Sequence, residues 1–359
     1  MQKANFCPEI FLAMASAARR VTVMVLFAAS FVMTANHDAL AIDPLGTATG
    51  GVVSCSSVNA TAGVPGGTCY LLQVNCPGIE NISMALKVNP PSSTPIGTVM
   101  FAVGGGNTEW YDQHFTYGPN AIEMVQSAGY NTVQTNYMFK PTGFGKKQTF
   151  AGWLTGPGGA RALSCRWATV AVWVHSNIAK PNTPFCATGN SAGSAAAGYA
   201  IADYGLGSMF NMLEETSGPP LTHIDRGCLC NTPKEATTCG QGLLSECYGM
   251  DSLMFIDPSY NNTKCSTAVK THRSSYDGQF LHDSLYSTDA VFDYPTTDIH
   301  FVFGGLDSSG AVPEGLDWKN AITAKGTPTV DCVADAPHEI ANVLDGATKV
   351  ATDLITYCH

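Results

Sequence analysis

The sequence predicts an α/β fold: a mostly parallel central sheet with helices on both faces and a disulfide-stapled, Cys-rich insertion. Three observations predict it. From residue 69 onward, short β-rich apolar runs alternate with helical patterns, the rhythm of a parallel sheet with crossover helices. One of the strands, residues 185–188, passes through a turn of small residues into an Ala-rich helix over 191–204. Residues 222–290 then break the rhythm with five cysteines and few long apolar runs. The chain has 359 residues, of which 45% are hydrophobic and 13% charged. That is enough apolar matter for one large core, and too little charge for a disordered chain.

The N-terminus reads as an export signal over residues 1–41. Lys3, Arg19 and Arg20 make a basic start, residues 21–35 are an apolar run short for a membrane span, with a membrane anchor as the competing reading, and Ala39-Leu40-Ala41 fits a small-residue cleavage site. The mature chain then begins near Ile42 and is expected outside the cell or in the periplasm, with no stable membrane anchor. Residues 1–41 hold three basic and two acidic residues, so 15 basic and 26 acidic residues remain, a net charge of −11. That acidity disfavours nucleic acid as a partner. Twelve cysteines remain as well, an even number that predicts up to six disulfides in an oxidising compartment, with connectivity open. A zinc cluster at Cys228, Cys230, Cys239 and Cys247 is the competing reading. Its Cys-x-Cys start departs from the usual ligand spacing.

Residues 42–68, rich in Gly, Thr, Ser and Val, read as an extended leader into a domain spanning 69–359. Residues 69–76 and 82–88 read as a hairpin-like pair of strands. Residues 98–103 form the next strand, ending in Gly104-Gly105-Gly106, and 120–128 a helix stopped by Gly129. A strand over 131–135 and a longer helix over 160–174 follow. After the elbow at 189–193 come a strand over 212–216, the Cys-rich insertion (a lid, a wall of a binding site, or a solvated excursion), and a buried-type strand over 299–303. A helix over 316–324, a last strand over 327–333 and a closing amphipathic helix over 339–357 complete the chain.

Gly189-Asn190-Ser191-Ala192-Gly193 carries the chemistry. The G-x-S-x-G pattern alone is weak, but strand, small-residue turn and helix are the context in which a serine is lifted above a sheet at the positive end of a helix. A serine hydroxyl needs a base within reach, and the base needs an orienting acid. In the order Ser, acid, His, Asp307 follows the strand at 299–303 and His338 lies 31 residues further on, in Ala336-Pro337-His338. Asp293, Asp317, Asp331 and Asp335 sit less well as the acid. His300 falls within a strand, and His223, His272 and His282 fall in the insertion. Oxyanion donors are expected from the Ala192 N–H and from the loop at Gly105 and Gly106, whose lack of side chains lets the backbone approach a substrate oxygen. Trp110 and Tyr111 follow closely and are expected to line the substrate pocket, with core packing as their alternative role.

Together these motifs resemble secreted esterases of the α/β-hydrolase superfamily. The resemblance rests on residues 189–194, Gly104-Gly105-Gly106, Gly305-Leu306-Asp307 and Pro337-His338, and covers about residues 97–357. It departs from the His-Gly-Gly-Gly pattern of one subgroup, since Val103 stands where that His would be. Residues 307–318, with Val312-Pro313, are also similar to the acid loop of secreted polyester and feruloyl ester hydrolases. The resemblance implies ester hydrolysis through an acyl-enzyme, on a small-molecule or polymer ester, with no metal or organic cofactor. A serine peptidase, a polyester depolymerase and a non-catalytic binding protein are the alternatives.

Overall fold

A computed structural model describes residues 42–137 and 152–359; the export signal predicted over residues 1–41 lies outside them. Nine strands form one sheet: β1 (Thr47–Val53), β2 (Thr68–Asn75), β3 (Ile82–Asn89), β4 (Gly97–Ala102), β5 (Tyr130–Asn136), β6 (Phe185–Asn190), β7 (Met212–Thr216), β8 (Asp298–Gly304) and β9 (Thr329–Val333). Their spatial order is β1-β2-β3-β5-β4-β6-β7-β8-β9. The three pairings from β1 to β5 are antiparallel and the five from β5 to β9 are parallel. The segment expected as an extended leader therefore supplies the edge strand. Its Gly and Thr residues, β1 among them, lie mostly exposed along β2, which is why no buried-strand pattern marks it in the sequence.

Alternation along the central strands splits the core between the two faces of the sheet. Val99, Phe101, Cys186, Met212 and Val302 pack with α1 (Gly118–Ser127) and the C-terminal helix α9 (Leu344–Tyr357). Met100, Phe185, Ala187, Leu213, Phe301 and Phe303 pack with α2 (Gly159–Asn177), α3 (Ala192–Ala202) and Trp318 of α8 (Ala311–Ala321). Helix α3 is buried along its whole length, so its alanines let it lie close to the sheet.

The insertion is helical, with α4 (Ile224–Leu229), α5 (Met250–Ser259), α6 (Lys264–Thr271), α7 (Asp277–His282) and one two-residue hairpin. All twelve cysteines after residue 41 are paired: 55–69, 76–165, 186–358, 228–265, 230–247 and 239–332. The zinc-cluster reading of the insertion cysteines thus gives way to disulfides. Two of these bridges close loops inside the insertion, and Cys239–Cys332 ties it to β9. Among the described residues no helix is long and apolar enough to cross a membrane.

Parallel pairing also decides where the motifs meet. Ala102 pairs with Gly189, Asn190 with Thr216, Thr216 with Val302, and Gly304 with Val333. The loops carrying residues 104–106, 191, 307 and 338 therefore leave the same carboxyl edge of the sheet, where open α/β folds bind ligands.

Candidate active site

Ser191 sits between the end of β6 and the first residue of α3 with φ +54° and ψ −125°. A non-glycine residue rarely adopts this backbone, which persists only where the surroundings enforce it. They do so here through contact. A Cβ on Gly189 would lie 2.4 Å from the Gly193 carbonyl carbon, and one on Gly193 would lie 2.5 Å from the Val103 carbonyl oxygen. Only glycine fits at either position. The Ser191 N–H donates to the Thr216 carbonyl at 2.8 Å, which fastens the turn to β7.

Asp307 follows β8 and is buried, and His338 follows β9 and is about a quarter exposed. His338 Nδ1 and Asp307 Oδ2 are 2.9 Å apart. The second carboxylate oxygen of Asp307 accepts the Ser309 N–H at 2.9 Å, and the Ser309 hydroxyl lies 3.1 Å from His338 Nδ1. Burial opposes the charge on Asp307, but the bond to His338, the imidazole charge and the Ser309 contacts outweigh it and hold the carboxyl below its ordinary range. Burial likewise opposes a charged imidazole, and the Asp307 carboxylate reverses the balance, so the His338 pKa is raised above 6.5. Ser309 is absent from the sequence reading. Its signal is a serine two residues after an aspartate, the spacing of a local side-chain-to-backbone turn.

The Ser191 hydroxyl is not hydrogen-bonded to His338 among the described residues. Its tie to the His338 loop runs through its neighbour. Asn190 Oδ1 accepts the Ile340 N–H at 3.3 Å and the Thr216 hydroxyl at 3.1 Å.

The glycine loop comes over Ser191 at Gly104, where a Cβ would stand 3.1 Å from Ser191 Cβ. Asn107 holds this loop in shape. Its Oδ1 accepts the Val103 N–H at 3.1 Å, its Nδ2 donates to the Thr135 hydroxyl at 2.6 Å, and its N–H donates to the Gly104 carbonyl at 3.1 Å. No backbone partner takes the Gly105 or Gly106 N–H among the described residues, and the Ala192 N–H, first in its helix, has no intrahelical partner. Gly105 has φ +57°, and a Cβ there would meet the Phe255 ring at 2.7 Å. Phe255 belongs to α5, so the insertion forms part of the wall over the loop.

Trp110 and Tyr111 do not line this site. Each is 2% exposed. Trp110 packs with Val58, Ala60, Cys69 and Ala85 and donates its Nε1 hydrogen to the Val58 carbonyl at 3.2 Å, while Tyr111 stacks edge-on against Phe101 and Phe115. Proximity in sequence to the glycine loop is misleading here, because the chain enters a short helical turn, Tyr111–His114, whose start sits in the core. His300 is a packing residue, buried in β8, 2.8 Å from the Thr329 hydroxyl and against the ring of Tyr357.

A mostly parallel sheet, a strained serine between strand and helix, and an acid and a histidine after later strands in that order define the architecture. The chain has the α/β-hydrolase fold. It matches no protein-family model and no curated protein. Solved structures similar to it include Est1E from Butyrivibrio proteoclasticus (10% identity, 81% of this chain and 99% of that one, TM-score 0.47). A highly thermostable carboxyl esterase from Bacillus coagulans, in complex with glycerol, is similar at 13% identity over 80% of this chain and 97% of that one, TM-score 0.47. The alpha/beta hydrolase domain-containing protein 10 from mouse is similar at 11% identity over 79% and 96%, TM-score 0.46.

Proposed function

We propose that this chain is a secreted serine hydrolase of carboxylic esters, with Ser191 as nucleophile, His338 as base and Asp307 as its orienting acid. The observation that carries the reading is the Asp307–His338 bond of 2.9 Å, formed on the sheet edge that also presents Ser191 in its strained turn. The paired carboxylate directs His338 Nδ1 as a donor and leaves Nε2 as the basic nitrogen. On binding an ester, Nε2 closes on the Ser191 hydroxyl and takes its proton as Oγ adds to the carbonyl. The Ala192 N–H, with that of Gly105 or Gly106, receives the developing oxyanion. His338 then protonates the departing alcohol, and water activated by the same nitrogen releases the acid. The chemistry calls for no metal or organic cofactor.

Exposed apolar side chains support an apolar ester. Leu306 stands beside Asp307, and Met250 and Met254 lie on α5, the helix that lays Phe255 on the glycine loop. The same exposed residues favour a polymeric polyester as the second reading. The test is mass spectrometry after fluorophosphonate treatment, with turnover of p-nitrophenyl esters and of a solid polyester. One adduct on Ser191 with ester turnover, both absent in Ser191→Ala, is the expected result. No adduct and no turnover from folded protein would overturn it in favour of a binding protein.

A further inference from the structure

Away from Ser191, the insertion and helix α8 meet through a second group of polar side chains. His223, immediately before α4, Glu246, ahead of α5, and Asp317, on α8, each offer one ligand atom, and these atoms all lie within 4.8 Å of one another. His223 Nε2 and Asp317 Oδ2 are 3.2 Å apart. Metal–ligand bonds of about 2.0–2.2 Å place tetrahedral ligands about 3.4 Å apart, so this pair is already at ligand spacing and Glu246 has only to close in.

We propose that His223, Glu246 and Asp317 bind a divalent transition-metal ion of the zinc class, which fastens the insertion to the helix following Asp307. Three further observations point to a ligand. The side chains of His223 and Glu246 are only 4% and 1% exposed, and among the described residues Glu246 Oε2 has no hydrogen-bond partner. A buried carboxylate oxygen without a partner is costly. The other ring nitrogen of His223, Nδ1, faces Asp225 Oδ1 at 4.0 Å, just beyond a hydrogen bond, and among the described residues that oxygen is buried and without a hydrogen bond. A carboxylate behind the distal nitrogen is the usual support of a metal-bound histidine. Thirdly, three carboxylates stand around one permanently charged group, with His223 itself in ion-pair reach of two of them. Asp225, Glu246 and Asp317 face one guanidinium, Arg226, which lies 3.3 Å from Glu246 Oε1 and 2.9 Å from Asp317 Oδ2. Arg226 is about one-third exposed and can turn toward solvent as an ion enters.

The ligands are held in place before binding. Cys230–Cys247 closes the loop between α4 and Glu246, and a Cβ on Gly310 would meet the Ser245 carbonyl at 2.9 Å, so residues 245–246 rest on the start of α8. One imidazole and two carboxylates select a zinc-like ion over calcium or magnesium, which prefer oxygen alone. Water completes the coordination. The ion's role is structural and independent of the chemistry at Ser191.

The test uses the folded chain after chelator treatment, titrated with zinc at neutral pH by calorimetry, with the visible spectrum of the cobalt(II) form as second readout. Expected are one equivalent bound with Kd below about 10 μM, a tetrahedral cobalt spectrum and a raised Tm. His223→Ala and Glu246→Gln should each weaken binding by at least about a hundredfold, the upper end of what loss of a supporting partner alone costs. Arg226→Met, which removes the competing cation, should tighten it, and His338→Gln should leave it unchanged. Circular dichroism identifies any variant that fails to fold, and Asp317→Asn then replaces it. No saturable zinc binding to wild type, or equal binding in the His223 and Glu246 variants, would overturn the site. Loss of binding in His338→Gln would do the same, by placing the ion in the catalytic cleft.

Discussion

Asn190 Oδ1 accepts the backbone N–H of Ile340 at 3.3 Å, so the residue before the candidate nucleophile holds the loop that carries the candidate base. The same oxygen accepts the buried Thr216 hydroxyl. The ends of β6 and β7 and the loop after β9 thereby meet at one point.

Asn190→Ala leaves the Ile340 N–H without this acceptor, while the Thr216 hydroxyl keeps the Gly189 carbonyl at 3.0 Å. Unsatisfied buried groups cost about 1–3 kcal/mol, so a measurable fall in Tm is expected. With the His338 loop loosened, kcat should fall about tenfold to a hundredfold with little change in KM, as small misplacements of catalytic groups do. A variant that loses stability but keeps its kcat would make Asn190 a structural residue only.

The pH profile should follow His338. Its neutral form is the base and its pKa is raised, so kcat/KM should rise with pH through an inflection above 6.5. Asp307→Asn removes the main cause of the raised value. The inflection should move to lower pH while kcat drops by about 10⁴-fold. The pair also links pH to stability. The lowered pKa of Asp307 stabilises the fold above the ordinary carboxylate range of about 3.9, an effect lost as pH falls. The raised pKa of His338 stabilises it below about 6.5, an effect lost as pH rises through the folded-state value. An inflection unmoved by Asp307→Asn would show that another group controls the profile.

Phe255→Ala should widen the site above Gly105. Turnover of p-nitrophenyl esters across a series of acyl chain lengths reads the change. The optimum should shift toward longer or bulkier acyl groups, by about 1–3 kcal/mol in relative kcat/KM. An unchanged profile would place Phe255 outside the substrate path.

Glu215 lies buried in β7 beneath the elbow, and burial pushes its carboxyl well above the ordinary range. The folded chain therefore keeps a proton that the unfolded chain releases near pH 4.3, and stability falls as pH rises above that value. Glu215→Gln removes the penalty. Its Tm relative to wild type should be higher at about pH 8 than at about pH 5. Equal differences at the two pH values would mean that Glu215 is already ionised inside the fold.

The strands and the elbow were legible because their signals are local. Residues 212–216 form β7 as read, and residues 185–204 form strand, turn and helix because small residues at 189 and 193 admit the close approach that the turn requires. Helix α8 begins at Ala311, earlier than its apolar pattern indicated, since Pro313 is tolerated in a first turn.

The alternation of elements, the even cysteine count and the order Ser191, Asp307, His338 were determined by the sequence alone, since each depends on neighbours along the chain. Only the tertiary structure decided which cysteines pair, that residues 47–53 add an edge strand, and that Phe255 rather than Trp110 or Tyr111 stands over the glycine loop. It also brought His223, Glu246 and Asp317 together from three segments. The physical reason is common to all four. Each depends on contacts between residues far apart in the chain, and the pattern of apolar and polar residues around any one of them does not encode its partner.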